Sequence, residues 1–334
     1  MKEYSYCQSP MELHGVPFFD KTGRLERLPD WLRQQLPNLD FLGRRCPGAR
    51  VCFRTDSRHV KVKVVYETLS PDIGMSLYSC QSAYIYIGER TKARYAGLVF
   101  PKEGYNSRFT ERIFEKSGEV EDVTIWLPRN EILAEVTIGL DDDAQLLPPT
   151  PYRHPVPILY YGSSITEGGC SSKISTSYNA LISRWLDVDF YNFGFSGSAK
   201  GELSMADYIN TIDKSILVMD YDHNAPTVEH LAATHEPFFK RIREASPDLP
   251  VVVVTMPDFK NGEEPRRREV IRATYEHALA AGDRNVYFVD GGEFFPPELV
   301  SACSNDNTHP NDLGFYFMAK KIAPVIEEIL GGKK

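Results

Sequence analysis

The sequence predicts an α/β protein in two parts, in which an antiparallel β-sandwich precedes a parallel sheet covered by helices. The chain of 334 residues exceeds the size at which a single hydrophobic core usually stops growing. Its first half carries segments that alternate between apolar and polar residues, whereas its second half alternates short apolar strands with helices. A proline-rich stretch at 141–157 separates these two patterns.

The first half is expected to form the sandwich. Its strand-like segments are rich in Val, Ile and Tyr, and Gly, Asp, Ser and Pro separate them. The expected strands are 49–55, 60–66, 82–88, 120–128 and 133–140. One short helix, 28–36, is expected to precede them.

The stretch 141–157 is expected to be a stiff, extended connector. It contains prolines at positions 148, 149, 151, 155 and 157, and proline disfavours both a helix interior and a central strand. We therefore predict a first domain of residues 1–150 and a second domain of residues 151–334.

The second half is expected to form a three-layer α/β/α domain. Short, nearly continuous apolar strands that alternate with helices are typical of a parallel sheet buried on both faces. The expected strands are 157–162, 188–194, 215–221, 250–256 and 285–291, and the main helices are 177–186, 227–245 and 268–282. Such sheets place their chemistry in the loops that follow the strands.

Composition narrows the class of partner. A net charge of -8 and a pI near 5.6 argue against binding to nucleic acid or to an anionic membrane. The one basic run, at 266–268, is expected to be a solvated helix face. No stretch approaches the roughly 18 apolar residues of a membrane span, and the N-terminus has no apolar leader region, so a cytoplasmic location is expected.

Cysteine and histidine spacing do not predict a metal site. The six cysteines contain no CxxC pair, which indicates reduced, mostly buried thiols. His223, His230 and His235 are close in sequence, but positions five apart on a helix point to different faces. We expect no metal and no other cofactor.

Three loops that follow expected strands carry candidate functional residues. In "GSSI", Ser164 would present its hydroxyl at the sheet edge, although Gly and Ser also build ordinary turns. In "NFGFSG", Gly197 would point a backbone N–H at a ligand or form a tight turn. In "YDHN", Asn224 would donate an amide N–H to an oxyanion or begin a helix through an Asx turn. Gly168 has the wrong spacing for the G-x-S-x-G elbow of α/β-hydrolases.

A fourth candidate lies near the C-terminus in "DNTH". Asp306 and His309 are three residues apart, a spacing at which a carboxylate can fix the tautomer of an imidazole and stabilise its cation. The same cluster would alternatively cap the helix that follows Asn311.

In this order, the four motifs resemble the four blocks of the SGNH (GDSL-type) hydrolases, a family named for Ser, Gly, Asn and His. The resemblance implies a flavodoxin-like hydrolase domain that needs no cofactor. It implies Ser164 as nucleophile, His309 as base and Asp306 as the residue that orients the base. It also implies an oxyanion hole formed by Ser164 and Gly197 through their backbone N–H groups and by the side chain of Asn224.

The sequence departs from the family pattern at two blocks. Ser163 stands where the family commonly has an Asp that braces the loop, and the third block lacks its usual Gly and following Asp. The glycines at 168 and 169 are expected to open the first helix. Upstream, "GMSLY" resembles the GxDLY signature of a β-sandwich (jelly-roll-like) that precedes some SGNH domains, with Ser76 in place of Asp. That resemblance implies an accessory domain that helps to shape the substrate cleft.

The resemblance implies a carboxylic ester hydrolase that forms an acyl-serine intermediate. A short-chain, acetyl-type ester of a small polar molecule or carbohydrate is the favoured substrate, because the acidic chain has no apolar lid-like segment. A lysophospholipase or thioesterase remains an alternative, as does a non-catalytic carbohydrate-binding protein on the same fold. The segment "SSITEGGCSSK" lacks the GxxxxGK[ST] spacing of a phosphate-binding loop, and the oligomeric state is left open.

Overall fold

The computed structural model describes residues 1–19, 23–72, 74–101, 107–259, 262 and 264–331. The first half is rich in strands and contains short helices. Its strands are β1 (Lys2–Ser5), β2 (Glu12–His14), β3 (Arg50–Thr55), β4 (His59–Tyr66), β5 (Ala83–Ile87), β6 (Arg94–Val99), β7 (Phe109–Glu115), β8 (Glu121–Trp126), β9 (Leu133–Leu140) and β10 (Leu146–Leu147). Its helices are α1 (Asp30–Gln35), α2 (Asp40–Gly43) and α3 (Leu77–Gln81).

Two antiparallel sheets form this half. One has the order β1-β9-β4-β7, and the other has the order β10-β3-β8-β5-β6 with β2 paired to β3. Val62 of β4 and Ile138 of β9 are register partners, and both share one buried apolar cluster with Phe53 of β3 and Ile125 of β8. The predicted antiparallel sandwich is thus confirmed, with alternate residues of each strand filling the core between the sheets.

The pattern of apolar residues did not predict β7. This edge strand buries Thr110 and Phe114, whereas Phe109 and Ile113 on its other face are about half exposed. Because apolar side chains lie on both faces, the strand lacks the clear period of two on which a strand prediction depends.

The second half alternates strands and helices along the chain. Its strands are β11 (His154–Gly162), β12 (Val188–Gly194), β13 (Ile216–Asp220), β14 (Val251–Val254) and β15 (Val286–Val289). Its helices are α4 (Ser164–Glu167), α5 (Tyr178–Leu186), α6 (Leu203–Asn210), α7 (Val228–Ala245), α8 (Glu264–Ala280) and α9 (Asp312–Leu330).

These strands form one parallel sheet in the order β12-β11-β13-β14-β15. This is the flavodoxin-like order, in which β12 is added on one side of β11 and the later strands are added on the other. On one face, Phe315 of α9 packs with Tyr160, and on the other, Phe238 of α7 packs with Tyr161. The predicted three-layer α/β/α architecture is confirmed, and its switch point lies at the carboxyl ends of β11 and β13.

The expectation that prolines exclude a central strand is wrong at the start of β11. This inner strand begins at His154 and includes Pro155 and Pro157. Continuous pairing with β12 and β13 begins only at Ile158, after a shift of register. Proline is tolerated here because the missing N–H groups lie before the continuous hydrogen-bonded ladder.

The sandwich packs directly on the parallel sheet. Trp126 of β8 lies with its ring centroid 6.2 Å from that of Phe190 in β12, and Tyr84 of β5 belongs to the same buried cluster. Leu32 of α1 joins the cluster on the other face of the parallel sheet. The two halves therefore share apolar clusters on both faces of the parallel sheet.

The cysteines are free and mostly buried, as expected from the sequence. All six thiols are free, and Cys46, Cys52, Cys80 and Cys303 are buried. Across the described ranges, none of the helices is both long and apolar enough to span a bilayer.

Candidate active site

Ser164 lies in a tight turn between β11 and α4. A Cβ atom at Gly162 would lie 2.0 Å from Thr166 Oγ1 and 2.4 Å from the carbonyl oxygen of Asp220, so only glycine allows this turn. Ser163 is the N-cap residue of α4, and Ser164 is the first residue of that helix. Gly168 adopts a left-handed conformation with φ of 96° and ends α4. The expectation that these glycines open a helix is therefore wrong, because glycine is favoured after a helix end.

Ser164, His309 and Asp306 form a continuous chain of hydrogen bonds. Ser164 Oγ lies 2.8 Å from His309 Nε2, and His309 Nδ1 lies 2.7 Å from Asp306 Oδ2. The other carboxylate oxygen accepts hydrogen bonds from the backbone N–H groups of Thr308 and His309. The fold thus brings together the candidate nucleophile and the candidate base across 145 positions of sequence.

The alternative role of this cluster, the cap of the helix that follows, belongs to Asn311. Asn311 Oδ1 accepts hydrogen bonds from the backbone N–H groups of Leu313 and Gly314 at the start of α9. Asp306 and His309 are therefore not needed for this cap, and their side chains interact with each other.

The surroundings of Asp306 favour its charged form. Partial burial by itself would raise its pKa, but hydrogen bonds from the backbone and the imidazole of His309, and the charge of that imidazole, bring the pKa below its usual value. A charged carboxylate at this position can stabilise an imidazolium on His309.

A second histidine lies beside this chain of hydrogen bonds. The ring centroids of His223 and His309 are 6.3 Å apart in an edge-to-face arrangement. Burial, followed by the charge of His309, lowers the pKa of His223 to about 4. His223 is therefore neutral near pH 7 and does not repel an imidazolium on His309.

The candidate oxyanion donors lie in the loops after β12 and β13. Gly197 has a left-handed φ of 65°, and neither its backbone N–H nor that of Ser164 has an acceptor among the residues that the structure describes. Asn224 Nδ2 donates to the carbonyl oxygen of Phe195 at 2.8 Å. Because an amide group has two N–H donors, one remains for a ligand.

Arg267 fixes the turn that carries Asn224. Its guanidinium donates to the carbonyl oxygens of Asp222 and Ala225, both at 2.9 Å, and lies 3.3 Å from Asp222 Oδ1. The residue is 6% exposed. The expectation of a solvated face at 266–268 is therefore wrong for Arg267, because this face of α8 packs on the loop after β13, and charge pattern alone does not reveal such a distant partner.

A buried carboxyl group also supports the turn of Ser164, and sequence reasoning missed it. Asp220 Oδ2, at the end of β13, accepts hydrogen bonds from Thr166 Oγ1 and the Tyr178 hydroxyl, both at 2.8 Å. Burial raises the pKa of Asp220 to about 7, although both hydrogen bonds oppose this shift. Asp220 thus links β13 to α4 and α5 underneath the candidate nucleophile.

The segment "GMSLY" contacts the loop after α4. Ser76 Oγ caps α3 by accepting a hydrogen bond from the backbone N–H of Ser79, a role that Ser and Asp both fill well. Ser79 Oγ donates to the carbonyl oxygen of Ser171 at 2.6 Å. A Cβ atom at Gly169 would lie 3.3 Å from Met75 Cε and 3.6 Å from His309 Cδ2. This part of the sandwich therefore borders the candidate site.

The described part of the chain contains no group of three or more His, Cys, Asp or Glu side chains arranged to hold a metal ion. The three neighbouring histidines have separate surroundings. His230 Nε2 lies 2.9 Å from the carbonyl oxygen of Lys200, and His235 Nδ1 lies 2.9 Å from Thr274 Oγ1. His223 instead lies beside His309.

Family models match most of the chain. Residues 156–327, just over half of the chain, match the model of the GDSL-like lipase/acylhydrolase family. The chain belongs to this family. Residues 3–146 match the model of the N-terminus of SGNH-type esterases, known by the GxDLY signature. A search of curated protein sequences found no significant match.

Solved structures with a similar fold cover both halves of this chain. A GDSL-like protein from Bacteroides ovatus superposes with a TM-score of 0.88 at 24% identity, covering 99% of this chain and 98% of that one. The salicylyl-acyltransferase SsfX3 of a tetracycline biosynthetic pathway gives 0.76 at 21% identity, with 97% of each chain covered. A family two carbohydrate esterase from Clostridium thermocellum in complex with cellohexaose gives 0.61 at 17% identity, covering 85% and 93%. At these identities the likeness shows the fold.

Proposed function

We propose that this GDSL-like acylhydrolase is a serine esterase that forms an acyl-serine intermediate. The observation that supports this proposal is the chain of hydrogen bonds from Ser164 Oγ through His309 to Asp306. A nucleophile in contact with a base that a carboxylate orients is the arrangement required for acyl transfer through serine.

Each group has one task in the proposed reaction. His309 Nε2 takes the proton of the Ser164 hydroxyl as Oγ attacks the ester carbonyl carbon, and the bond from carbon to the alcohol oxygen breaks as His309 returns that proton to the alcohol. His309 then takes a proton from a water that attacks the acyl carbon, and the bond from that carbon to Ser164 Oγ breaks as His309 returns the proton to Oγ and the acid leaves. Asp306 holds the imidazole and stabilises its cation throughout.

The negative charge of the tetrahedral intermediate would rest on three donors. These are the backbone N–H groups of Ser164 and Gly197, which have no acceptor among the described residues, and the second amide N–H of Asn224. Such donors act on the transition state and are each worth about 3 kcal/mol.

The proposed substrates are short-chain esters, acetyl esters first, of small polar molecules or carbohydrates. The structural neighbour from Clostridium thermocellum is a carbohydrate esterase crystallised with cellohexaose, which supports a carbohydrate as the alcohol. We propose residues 1–150 as the accessory domain and residues 151–334 as the catalytic domain, because Met75 and Ser79 of the first border the loop after α4.

The test uses p-nitrophenyl acetate, p-nitrophenyl octanoate and a fluorophosphonate probe. We expect wild-type protein to hydrolyse the acetate ester faster than the octanoate ester and to be labelled once, at Ser164. Ser164→Ala should lose both turnover and labelling while it keeps the unfolding midpoint of the wild type. Full activity in Ser164→Ala would refute the proposal, and faster turnover of octanoate would favour the lysophospholipase or thioesterase alternative. Absence of turnover and labelling in the wild type would favour the binding protein.

A further inference from the structure

A fully buried arginine from the N-terminal half contacts the end of β12, three residues before Gly197. Arg27 Nη1 donates to the carbonyl oxygens of Asn192 at 2.9 Å and Gly194 at 2.6 Å. The guanidinium carbon lies 4.4 Å from the centroid of the Phe195 ring. Arg27 therefore holds the backbone on which the Gly197 loop is built.

The remaining donors of Arg27 are bound to its own half of the chain. Nε donates to the carbonyl oxygen of Arg45 at 2.8 Å, and Nη2 donates to that of Leu42 at 2.7 Å. One rigid, planar guanidinium thus joins two carbonyl groups beside α2 to two carbonyl groups at the end of β12. A lysine could not reproduce this geometry, because its ammonium is a single point donor on a flexible stem.

A buried carboxyl group holds the same loop two residues after Gly194. Glu167 Oε2, at the end of α4, accepts a hydrogen bond from the backbone N–H of Ser196 at 2.9 Å. Glu167 is 4% exposed. Burial lowers the pKa of Arg27 to about 10, and the charge of Glu167 opposes that shift. Residues 194–196 are therefore held by the buried guanidinium of Arg27 at Gly194 and by the buried carboxyl group of Glu167 at Ser196.

The orientation of Gly197 depends on the backbone that precedes it. A Cβ atom built on Gly197 would meet nothing within 4 Å, so packing does not fix this residue. The preceding backbone is fixed instead, since Phe195 donates to the carbonyl oxygen of Gly162 at 2.9 Å and accepts from Asn224 Nδ2. A shift of this segment would move two oxyanion donors together, the N–H of Gly197 and the amide of Asn224.

We propose that Arg27 is a positioning residue of the oxyanion hole, by which the N-terminal half takes part in catalysis without contacting the substrate. It sets the backbone at 192–195 and, through it, the Gly197 N–H and the Asn224 amide. This inference rests on the proposed esterase function. It assigns the N-terminal half a part in transition-state stabilisation in addition to any part in substrate binding.

Arg50 provides a matched control in the same chain. It is also fully buried and also comes from the N-terminal half. It pairs with Asp189 near the start of β12 and stacks 4.5 Å from the centroid of the Phe190 ring. At about 3.3 Å per residue, Asp189 lies roughly 17 Å along the strand from Gly194. Arg50 is thus a buried arginine that joins the N-terminal half to β12 at the end remote from the site, through a side-chain carboxylate rather than through backbone carbonyl groups.

The experiment compares Arg27→Met, Arg27→Lys and Arg50→Met with the wild type. For each protein we would measure kcat and KM on p-nitrophenyl acetate, the inhibition constant of an alkyl boronic acid, and the urea unfolding midpoint. We expect Arg27→Met to lower kcat about 10- to 100-fold with KM changed less than about threefold, because oxyanion donors act on the transition state. The inhibition constant should rise by a similar factor, and Arg27→Lys should show a smaller loss. Arg50→Met should lose stability and keep kcat within about twofold.

The outcomes separate this inference from the proposed function. If both methionine variants lose kcat alike, or if Arg27→Met keeps wild-type kcat, Arg27 is only a structural residue and the inference is overturned. If Arg27→Met does not fold, Arg27→Lys decides: a kcat loss with unchanged KM supports the inference, and wild-type kcat overturns it. If the wild type and Arg50→Met are both inactive toward esters, the proposed function itself falls, and this inference falls with it.

Discussion

The side-chain hydroxyl of Ser163 accepts a hydrogen bond from the backbone N–H of Ile165 at 3.1 Å. This contact caps α4 and fixes the turn that presents Ser164. An aspartate, which the family commonly has at this position, would offer the same kind of acceptor, because Ser and Asp are both strong N-cap residues. The departure from the family pattern therefore preserves the cap and loses a charge.

We expect Ser163→Ala to lower both stability and activity. Loss of the cap should reduce the free energy of unfolding by about 0.5–2 kcal/mol, and the loosened turn should reduce kcat about tenfold. Urea unfolding and ester hydrolysis measure the two effects. The control is Thr227→Ala, which removes the N-cap of α7, where Thr227 Oγ1 accepts from the His230 N–H at 3.1 Å. An equal loss of kcat in both variants would contradict this prediction.

We expect Gly197→Ala to slow catalysis more than it destabilises the protein. A side chain at a φ of 65° costs roughly 1–2 kcal/mol, and the resulting backbone adjustment should turn the N–H away from the oxyanion. The predicted fall in kcat is about 10- to 100-fold. Gly282→Ala is the matched control, since Gly282 has a φ of 91° and its Cβ would also meet nothing within 4 Å. Thermal unfolding should show equal losses in both variants, whereas an unchanged kcat in Gly197→Ala would remove this residue from the oxyanion hole.

We expect Asp306→Asn to leave the fold intact and to reduce kcat about 10²- to 10⁴-fold. The amide can present an N–H to Nδ1 and so hold the imidazole in the wrong tautomer, and it cannot stabilise the imidazolium by charge. Steady-state kinetics on p-nitrophenyl acetate measure the effect. Asp312→Asn, which alters a carboxylate bonded to Ser172 and Thr176, should keep kcat. Comparable activity in both variants would argue that Asp306 does not orient the base.

Short patterns of apolar and turn residues predicted the limits of some strands, because these limits depend on neighbouring residues. The apolar runs of β12 and β9 are bounded by turn residues, so these strands were predicted with their observed limits. The meeting of Ser164 and His309 was implied by the resemblance of the four motifs to the SGNH blocks, since the "DNTH" motif does not directly follow any of the predicted strands. That these residues catalyse ester hydrolysis stays a prediction.

Contacts between distant segments could not be predicted in the same way. Arg27 lies in an irregular stretch and reaches a carbonyl group 165 positions away, and nothing in its neighbourhood signals this partner. Arg267 belongs to a basic run that is typical of a solvated surface, yet α8 turns it toward the loop after β13. Such interactions depend on how the elements pack, which hydrophobic periodicity does not encode.

We expect Asp220 to give the protein a pH-dependent stability that Asp220→Asn removes. Its pKa is about 7 in the folded chain and about 3.9 in an unfolded one, so the folded state holds a proton that the unfolded state has released between these values. The stabilisation is complete below about pH 4 and is lost as pH rises through 7. Asparagine keeps a carbonyl acceptor for Thr166 and Tyr178 but does not ionise.

Urea unfolding of both proteins at pH 5 and pH 8 tests this prediction. From pH 5 to pH 8, the free energy of unfolding of Asp220→Asn should rise by about 2–3 kcal/mol relative to that of the wild type. The reason is that two pKa units correspond to about 2.7 kcal/mol. The buried histidines His223 and His235 are present in both proteins, so their titration cancels in the difference. A difference independent of pH would mean that Asp220 does not change its protonation on unfolding in this range, and the carboxyl group under the Ser164 turn would then be charged in the active protein.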